Sequence, residues 1–96
     1  MKATNNNPVK FFRQIVGTDI YPFEVIRKVS DVTYEVREME CDFDFPSGHG
    51  YNYRSNPNRL VIRIRKHNDG RFYAPGWKTI PFIPDERARG YRDWSF

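Results

Sequence analysis

Residues 59–73, RLVIRIRKHNDGRFY, constrain the fold more than any other stretch of this 96-residue chain. Successive side chains of a β-strand point to opposite faces, so an alternating pattern separates a buried set from an exposed set. The set predicted to face inward is Leu60, Ile62 and Ile64, and the set predicted to face outward is Val61, Arg63 and Arg65. Asn68, Asp69 and Gly70 then supply the positive-φ positions of a tight turn. The stretch therefore predicts a β-hairpin that presents arginines on one face.

A second hairpin is predicted over residues 20–39. The first strand covers residues 24–29, Ser30 and Asp31 form the turn, and residues 32–39 return. Alternation on the return strand predicts three core residues: Val32, Tyr34 and Val36.

Two hairpins, short strands and frequent proline and glycine predict a mainly β fold, a small antiparallel sheet or barrel of about five strands. Residues 9–16 leave two alternatives open. Asn7, Pro8 and Gly17 could frame one short N-terminal helix, whereas the β-branched and aromatic residues between them favour a strand. We expect residues 1–8 to form a flexible lead and residues 9–96 a single domain that ends in an aromatic tail, residues 91–96.

The distribution of charge favours an anionic partner. Residues 1–48 carry six Lys/Arg against eight Asp/Glu, whereas residues 49–96 carry ten against four, and the whole chain has a net charge of +4. No apolar run approaches the roughly 20 residues of a membrane-spanning helix, and the N-terminus lacks the apolar region of a secretory signal. The single cysteine, Cys41, suits a reducing cytoplasm. We therefore expect a cytoplasmic protein that has no membrane partner.

The inventory of catalytic and metal-binding residues is small. Cys41 with His49 matches no cysteine-enzyme signature, and Asp42, Asp44, His49 and His67 lack the spacing of a known metal loop. No glycine-rich phosphate loop of a known type is present. The sequence predicts a protein that is not an enzyme and uses no cofactor or metal. A small enzyme that uses His49 with Asp42 or Asp44 remains the alternative.

Binding is the better-supported chemistry. Arginine forks suit bidentate contacts to phosphate or carboxylate, and aromatic rings can stack on bases. The candidate binding residues are Arg54, Arg59, Arg63, Arg65, Lys66 and Arg71 with Tyr51, Tyr53 and His49, and Phe72, Tyr73 and Trp77 add further rings. The glycines around His49 would let a ligand approach the backbone closely. In the opposing interpretation, Arg63 and Arg65 pair with Glu35, Glu38 or Asp69, and the rings belong to the core.

Four segments resemble small uncharacterised proteins common in bacteriophage and mobile-element genomes. These are YPFEVIRKVSDVTYEVREME, the GHG turn, NPNRLVIRIRKHNDGRFYAPG and the final YRDWSF, and the resemblance spans residues 17–96. It implies a phage accessory protein that acts by binding in the cytoplasm of a bacterial host. The expected partner is nucleic acid, a nucleotide or an acidic surface. The alternative is a protein–protein inhibitor of a host enzyme or defence factor, anchored by the aromatic tail; the protein could be a monomer or a dimer.

Overall fold

The computed structural model describes residues 9–77 and 79–94. Within these residues it contains eight strands and no helix: β1 Phe11–Val16, β2 Asp19–Ser30, β3 Thr33–Glu38, β4 Glu40–Phe43, β5 Gly50–Arg54, β6 Val61–Lys66, β7 Phe72–Tyr73 and β8 Phe82–Asp85. Six strands close an antiparallel barrel in the order β1-β2-β3-β6-β7-β8, and β4 pairs with β5 in a separate two-stranded sheet. The predicted mainly β barrel is confirmed, with one more strand in the barrel than expected.

Pairing on both edges makes the N-terminal segment a strand. Phe12 lies opposite Phe23 of β2 and opposite Pro84 of β8. The side chains of Phe12 and Gln14 are both buried, as the alternation of a strand requires. The short N-terminal helix is therefore wrong for the described part of this segment, and the predicted flexible lead, residues 1–8, lies outside the described residues.

Aromatic rings form the centre of the barrel. The buried cluster consists of Phe12, Phe23, Tyr34, Val36, Ile64, Phe72, Ala74 and Phe82. The ring of Phe12 meets those of Phe72 and Tyr34 edge to face, with centroids 5.1 and 5.3 Å apart. Such contacts add to the free energy that burial alone supplies.

Two residues predicted for the core are instead exposed. The predictions for Tyr34, Val36 and Ile64 are confirmed, and Ile62 packs against the core from a half-buried position. Leu60, however, is 85% exposed, because β6 begins only at Val61. Val32 is also exposed, because it lies in the turn between β2 and β3. Alternation places residues correctly only where a strand is paired.

The β4–β5 hairpin occupies what the sequence predicts as a long connection, residues 40–58. Asp42 lies opposite Tyr51, and Phe43 lies opposite Gly50. At the turn, Gly48 has a φ of +83°, and its N–H donates to the carbonyl oxygen of Asp44 over 2.8 Å. These two short strands therefore hold the GHG turn in a defined place.

The described part of the aromatic tail, residues 91–94, docks between the barrel and this hairpin. Tyr91 exchanges two backbone hydrogen bonds with Ile20, of 2.8 and 2.9 Å, and the Arg92 N–H donates to the carbonyl oxygen of Gly48 over 2.9 Å. A Cβ on Gly48 would collide with the Arg92 carbonyl oxygen, so this close approach requires glycine. The tail is thus part of the folded structure up to Trp94, and Ser95 and Phe96 lie outside the described residues.

Candidate functional site

The structure separates the predicted binding residues into three places. Arg63 and Arg65 line a groove at one end of β6. His49 and Tyr53 line a cavity against the tail. Arg54 and Arg59 lie near a third, more acidic depression that also contains Glu38 and Glu40. These residues are therefore close in the sequence but do not form one site in the structure.

The groove beside β6, here named the arginine groove, has a volume of about 530 Å³. Its described lining residues are Val29, Ser30, Thr33, Arg63, Arg65, His67, Tyr73, Ala74, Pro75 and Gly76. Strand pairing assembles it, since Arg65 lies opposite Thr33 of β3 on one side and Tyr73 of β7 on the other. No aspartate or glutamate is among these described lining residues. The groove combines cationic, hydroxyl and small apolar groups, which suits an anionic ligand.

Beside the groove, two arginines share one carboxylate. Arg63 pairs with Glu35 at 2.8 Å, and Arg27 pairs with the same residue at 3.1 Å from the neighbouring strand. Hydrogen bonds from Arg27 and Arg63 lower the pKa of Glu35 from its ordinary 4.5 to about 2. The carboxylate is therefore ionised at neutral pH, and the three side chains together carry one net positive charge.

Arg65 and Lys66 are both exposed and form no ion pair with any residue the structure describes. Arg65 is thus the groove's guanidinium that has its whole fork available to a ligand. Arg63, by contrast, can contact a ligand only while it also remains paired with Glu35. The opposing interpretation predicted acidic partners for both Arg63 and Arg65. It is confirmed for Arg63, whereas Arg65 has no acidic partner among the described residues.

A pH series should reveal the Glu35 pairing. Because the folded-state pKa of Glu35 is depressed, its ion pairs stabilise the fold above about pH 4.5, and this contribution is lost as pH falls towards 2. We expect the free energy of unfolding to fall more steeply over that range in the wild type than in Glu35→Gln, measured by urea denaturation at each pH. Parallel curves for the two proteins would contradict the pairing.

The turn between β6 and β7 fixes the far end of the groove. The Tyr73 hydroxyl donates to Asp69 Oδ2 over 2.6 Å, which raises the pKa of Tyr73. The Arg71 backbone N–H donates to Asp69 Oδ1 over 2.8 Å, and the His67 and Tyr73 ring centroids lie 4.7 Å apart. Gly70 adopts the positive φ predicted for this turn, whereas the same prediction for Asn68 and Asp69 is wrong. Asp69 therefore holds the Tyr73 ring, which in turn contacts the His67 ring, and it lies close to Arg71, which is outside the groove lining.

Several predicted residues have other partners. Arg54 pairs with Glu40 at 3.4 Å and with Asp42 at 3.3 Å, and Arg59 pairs with Glu38 at 3.8 Å. The Tyr53 hydroxyl accepts a hydrogen bond from the Gly90 N–H over 2.7 Å. Glu38, Glu40 and Asp42 thus reduce the positive charge that the sequence predicts around Arg54 and Arg59.

The predicted stacking rings also divide between the core and the surface. Phe72 and Tyr73 are buried, so their faces are covered by the barrel, as the opposing interpretation expected. Tyr51 and Trp77 remain about half exposed. Trp77 directly follows Gly76 of the groove lining, whereas Tyr51 lies on the separate hairpin. Trp77 lines a neighbouring cavity that shares Gly76 with the arginine groove.

Sequence reasoning missed the hydroxyl side of the groove. Thr33 lies opposite Arg65 in the pairing of β3 with β6, some thirty residues away in the chain, and Ser30 of β2 lies opposite Thr33. No local pattern encodes that approach.

Of the residues considered for catalysis and metal binding, Cys41, Asp42, Asp44 and His49 lie on the β4–β5 hairpin, and His67 lies after β6. Among the described residues, no group of three or more His, Cys, Asp or Glu could hold a metal ion. Cys41 is half-buried, and burial raises the pKa of its thiol, which disfavours the nucleophilic thiolate. The His49 ring packs against Tyr91, with centroids 5.5 Å apart.

Comparison with known proteins identifies no relative. No family model, no curated protein and no solved structure matches the chain. Among the described residues, no helix is long and apolar enough to cross a membrane.

Proposed function

We propose that this protein is a non-enzymatic nucleic-acid-binding barrel, and that the arginine groove contacts the phosphate backbone of a single strand. The observation that carries the proposal is the composition of the groove: its described lining residues include Arg63, Arg65 and His67 and no carboxylate, and Arg65 has no acidic partner among the described residues, whereas Arg63 pairs with Glu35 beside the groove. Arginine supplies a planar fork that matches phosphate oxygens. In line with the sequence resemblance, we place this activity in a phage-type accessory protein in the bacterial cytoplasm.

A single strand suits the surroundings of the groove better than a duplex. Trp77 is 50% exposed and lines a neighbouring cavity that shares Gly76 with the groove, so its ring can receive a base next to a phosphate held in the groove. Stacking on an aromatic ring requires a base that is free of its own helix. Ser30 and Thr33 add hydroxyl donors to the opposite wall. A volume of about 530 Å³ accommodates about one nucleotide.

Fluorescence anisotropy with labelled oligonucleotides tests this function. We expect a single-stranded oligonucleotide to bind more tightly than the matching duplex, and its affinity to fall about tenfold between roughly 50 and 200 mM salt, as two or three phosphate contacts predict. In a Trp94→Phe background, Trp77 fluorescence should be quenched on binding. The absence of binding at low salt, or an affinity independent of salt, would exclude the function.

An exposed aromatic pair favours a second candidate, the protein–protein inhibitor anchored by the tail. Phe45 is 73% exposed and Trp94 is 39% exposed, and their ring centroids lie 5.7 Å apart. Aromatic residues in such positions are frequent hot spots of interfaces. Because Tyr91 is paired with Ile20, truncation at residue 91 would disturb the fold, so Trp94→Ala is the cleaner variant. Loss of protein capture with intact oligonucleotide binding would support this candidate.

A further inference from the structure

A second cavity, here named the tail cavity, lies between the GHG turn and the segment that follows β8. It has a volume of about 560 Å³. Its described lining residues are Ile20, His49, Gly50, Tyr53 and residues 87–91. The described lining residues of this cavity and of the arginine groove do not overlap. The two cavities can therefore be tested separately.

Hydrogen-bond donors in this lining lack intramolecular partners. Arg87 is exposed and forms no ion pair within the described residues. The backbone N–H groups of Arg87, Ala88 and Arg89 donate to no acceptor within that same part of the chain. The Tyr53 hydroxyl accepts from the Gly90 N–H, which leaves its own proton available. Several donors thus converge on one cavity.

The tail cavity is held by contacts from three parts of the chain. The Gly50 N–H donates to the Gly90 carbonyl oxygen over 2.9 Å, and Tyr91 pairs with Ile20. A Cβ on Gly50 would lie 2.6 Å from the Tyr53 hydroxyl oxygen, so glycine is needed for this hydroxyl to reach the cavity. These contacts fix the Tyr53 hydroxyl and the backbone at Gly90 and Tyr91 before a ligand arrives.

Charge and polarity together indicate the class of ligand. Arg89 is already paired with Asp85 at 2.8 Å, which leaves Arg87 as the uncommitted guanidinium among the described lining residues. One free fork balances a single negative charge, and a phosphate dianion would need more. Ile20, Ala88 and the Tyr91 ring supply apolar walls. We propose that the tail cavity binds a small organic acid, with one carboxylate on an apolar body, through Arg87 and Tyr53.

Calorimetric titration with 1-naphthoate, 1-naphthalenemethanol and 1-naphthyl phosphate tests this proposal. We expect naphthoate to bind and the alcohol, which lacks the charge, to bind at least about tenfold more weakly, since a hydrogen bond to a charged group is lost. Naphthyl phosphate should bind no more tightly than naphthoate. Equal affinity for naphthoate and the alcohol, or clearly tighter binding of the phosphate, would overturn the proposed ligand class.

Variants locate the site. Arg87→Gln should weaken naphthoate binding about tenfold, and Tyr53→Phe should weaken it by a smaller factor, since one neutral donor is lost. Lys10→Gln removes a positive charge outside the cavity and should leave the affinity unchanged. Unchanged affinity in Arg87→Gln would overturn the proposal. Because Arg87 is exposed, we expect this variant to fold as the wild type does, and an amide NMR spectrum checks this. In parallel, the oligonucleotide affinity of the Arg65→Gln variant is measured, and this affinity reports on the arginine groove alone.

Discussion

Replacing Phe12 by alanine is expected to lower the free energy of unfolding by roughly 3–5 kcal/mol, the cost of deleting a fully buried ring. Phe12 is completely buried and contacts the rings of Tyr34 and Phe72 on two other strands. Its strand also joins β2 to β8, so the loss acts where the barrel closes. Since small domains are stable by roughly 5–15 kcal/mol, this variant should lose much of its stability.

Urea denaturation followed by circular dichroism measures this effect. Phe45→Ala is the matched control, because it makes the same chemical change at a position that is 73% exposed. We expect the control to lie within about 1 kcal/mol of the wild type. Similar losses in the two variants would contradict the aromatic core that the structure assigns to Phe12.

Reversing the charge of Arg65 is the second large expected effect. Arg65→Glu should weaken oligonucleotide binding by roughly ten- to a hundredfold, since a charge-assisted hydrogen bond is lost and a repulsive charge is introduced. Arg65 is exposed and makes no ion pair within the described residues, so the fold should be unaffected. Arg63→Glu is a poorer test, because it would place a second carboxylate against Glu35.

Lys10→Glu provides the control for this reversal. It changes the net charge by the same amount, but Lys10 precedes β1, its carbonyl oxygen accepts from the Val25 N–H, and it lies outside the groove lining. Its effect should be limited to a few-fold through long-range electrostatics, and that effect should shrink as salt rises. Equal weakening in the two variants would mean that net charge, and no particular groove, governs binding.

Local signals account for the parts of this fold that the sequence predicted. The 59–73 hairpin follows from alternation at Ile62, Arg63 and Ile64 and from the Asn-Asp-Gly turn, all of which act over a few residues. Alternation failed at Leu60, where the strand had not yet begun. Residues 9–16 could not be decided locally, because pairing with β2 and β8 overrides weak helix signals.

The candidate site depended on contacts that sequence neighbours do not reveal. Arg54 and Arg59 precede the hairpin closely, yet Glu40, Asp42 and Glu38 neutralise them on another part of the surface. Arg63 meets Glu35 from 28 positions away. Strand pairing therefore decides which arginines have no acidic partner. Arg65 and its neighbours could be assigned to the groove only from the pairing of β3 with β6.

An NMR titration tests the location of nucleic-acid binding most directly. Amide resonances of ¹⁵N-labelled protein would be followed while a short single-stranded oligonucleotide is added at low salt. We predict that the shifts concentrate at Thr33, Arg65, His67 and Trp77, with little change at residues 87–91. Shifts centred on Phe45 and Trp94, shifts spread evenly over the surface, or no shifts at all would contradict the assignment of the arginine groove as the nucleic-acid site.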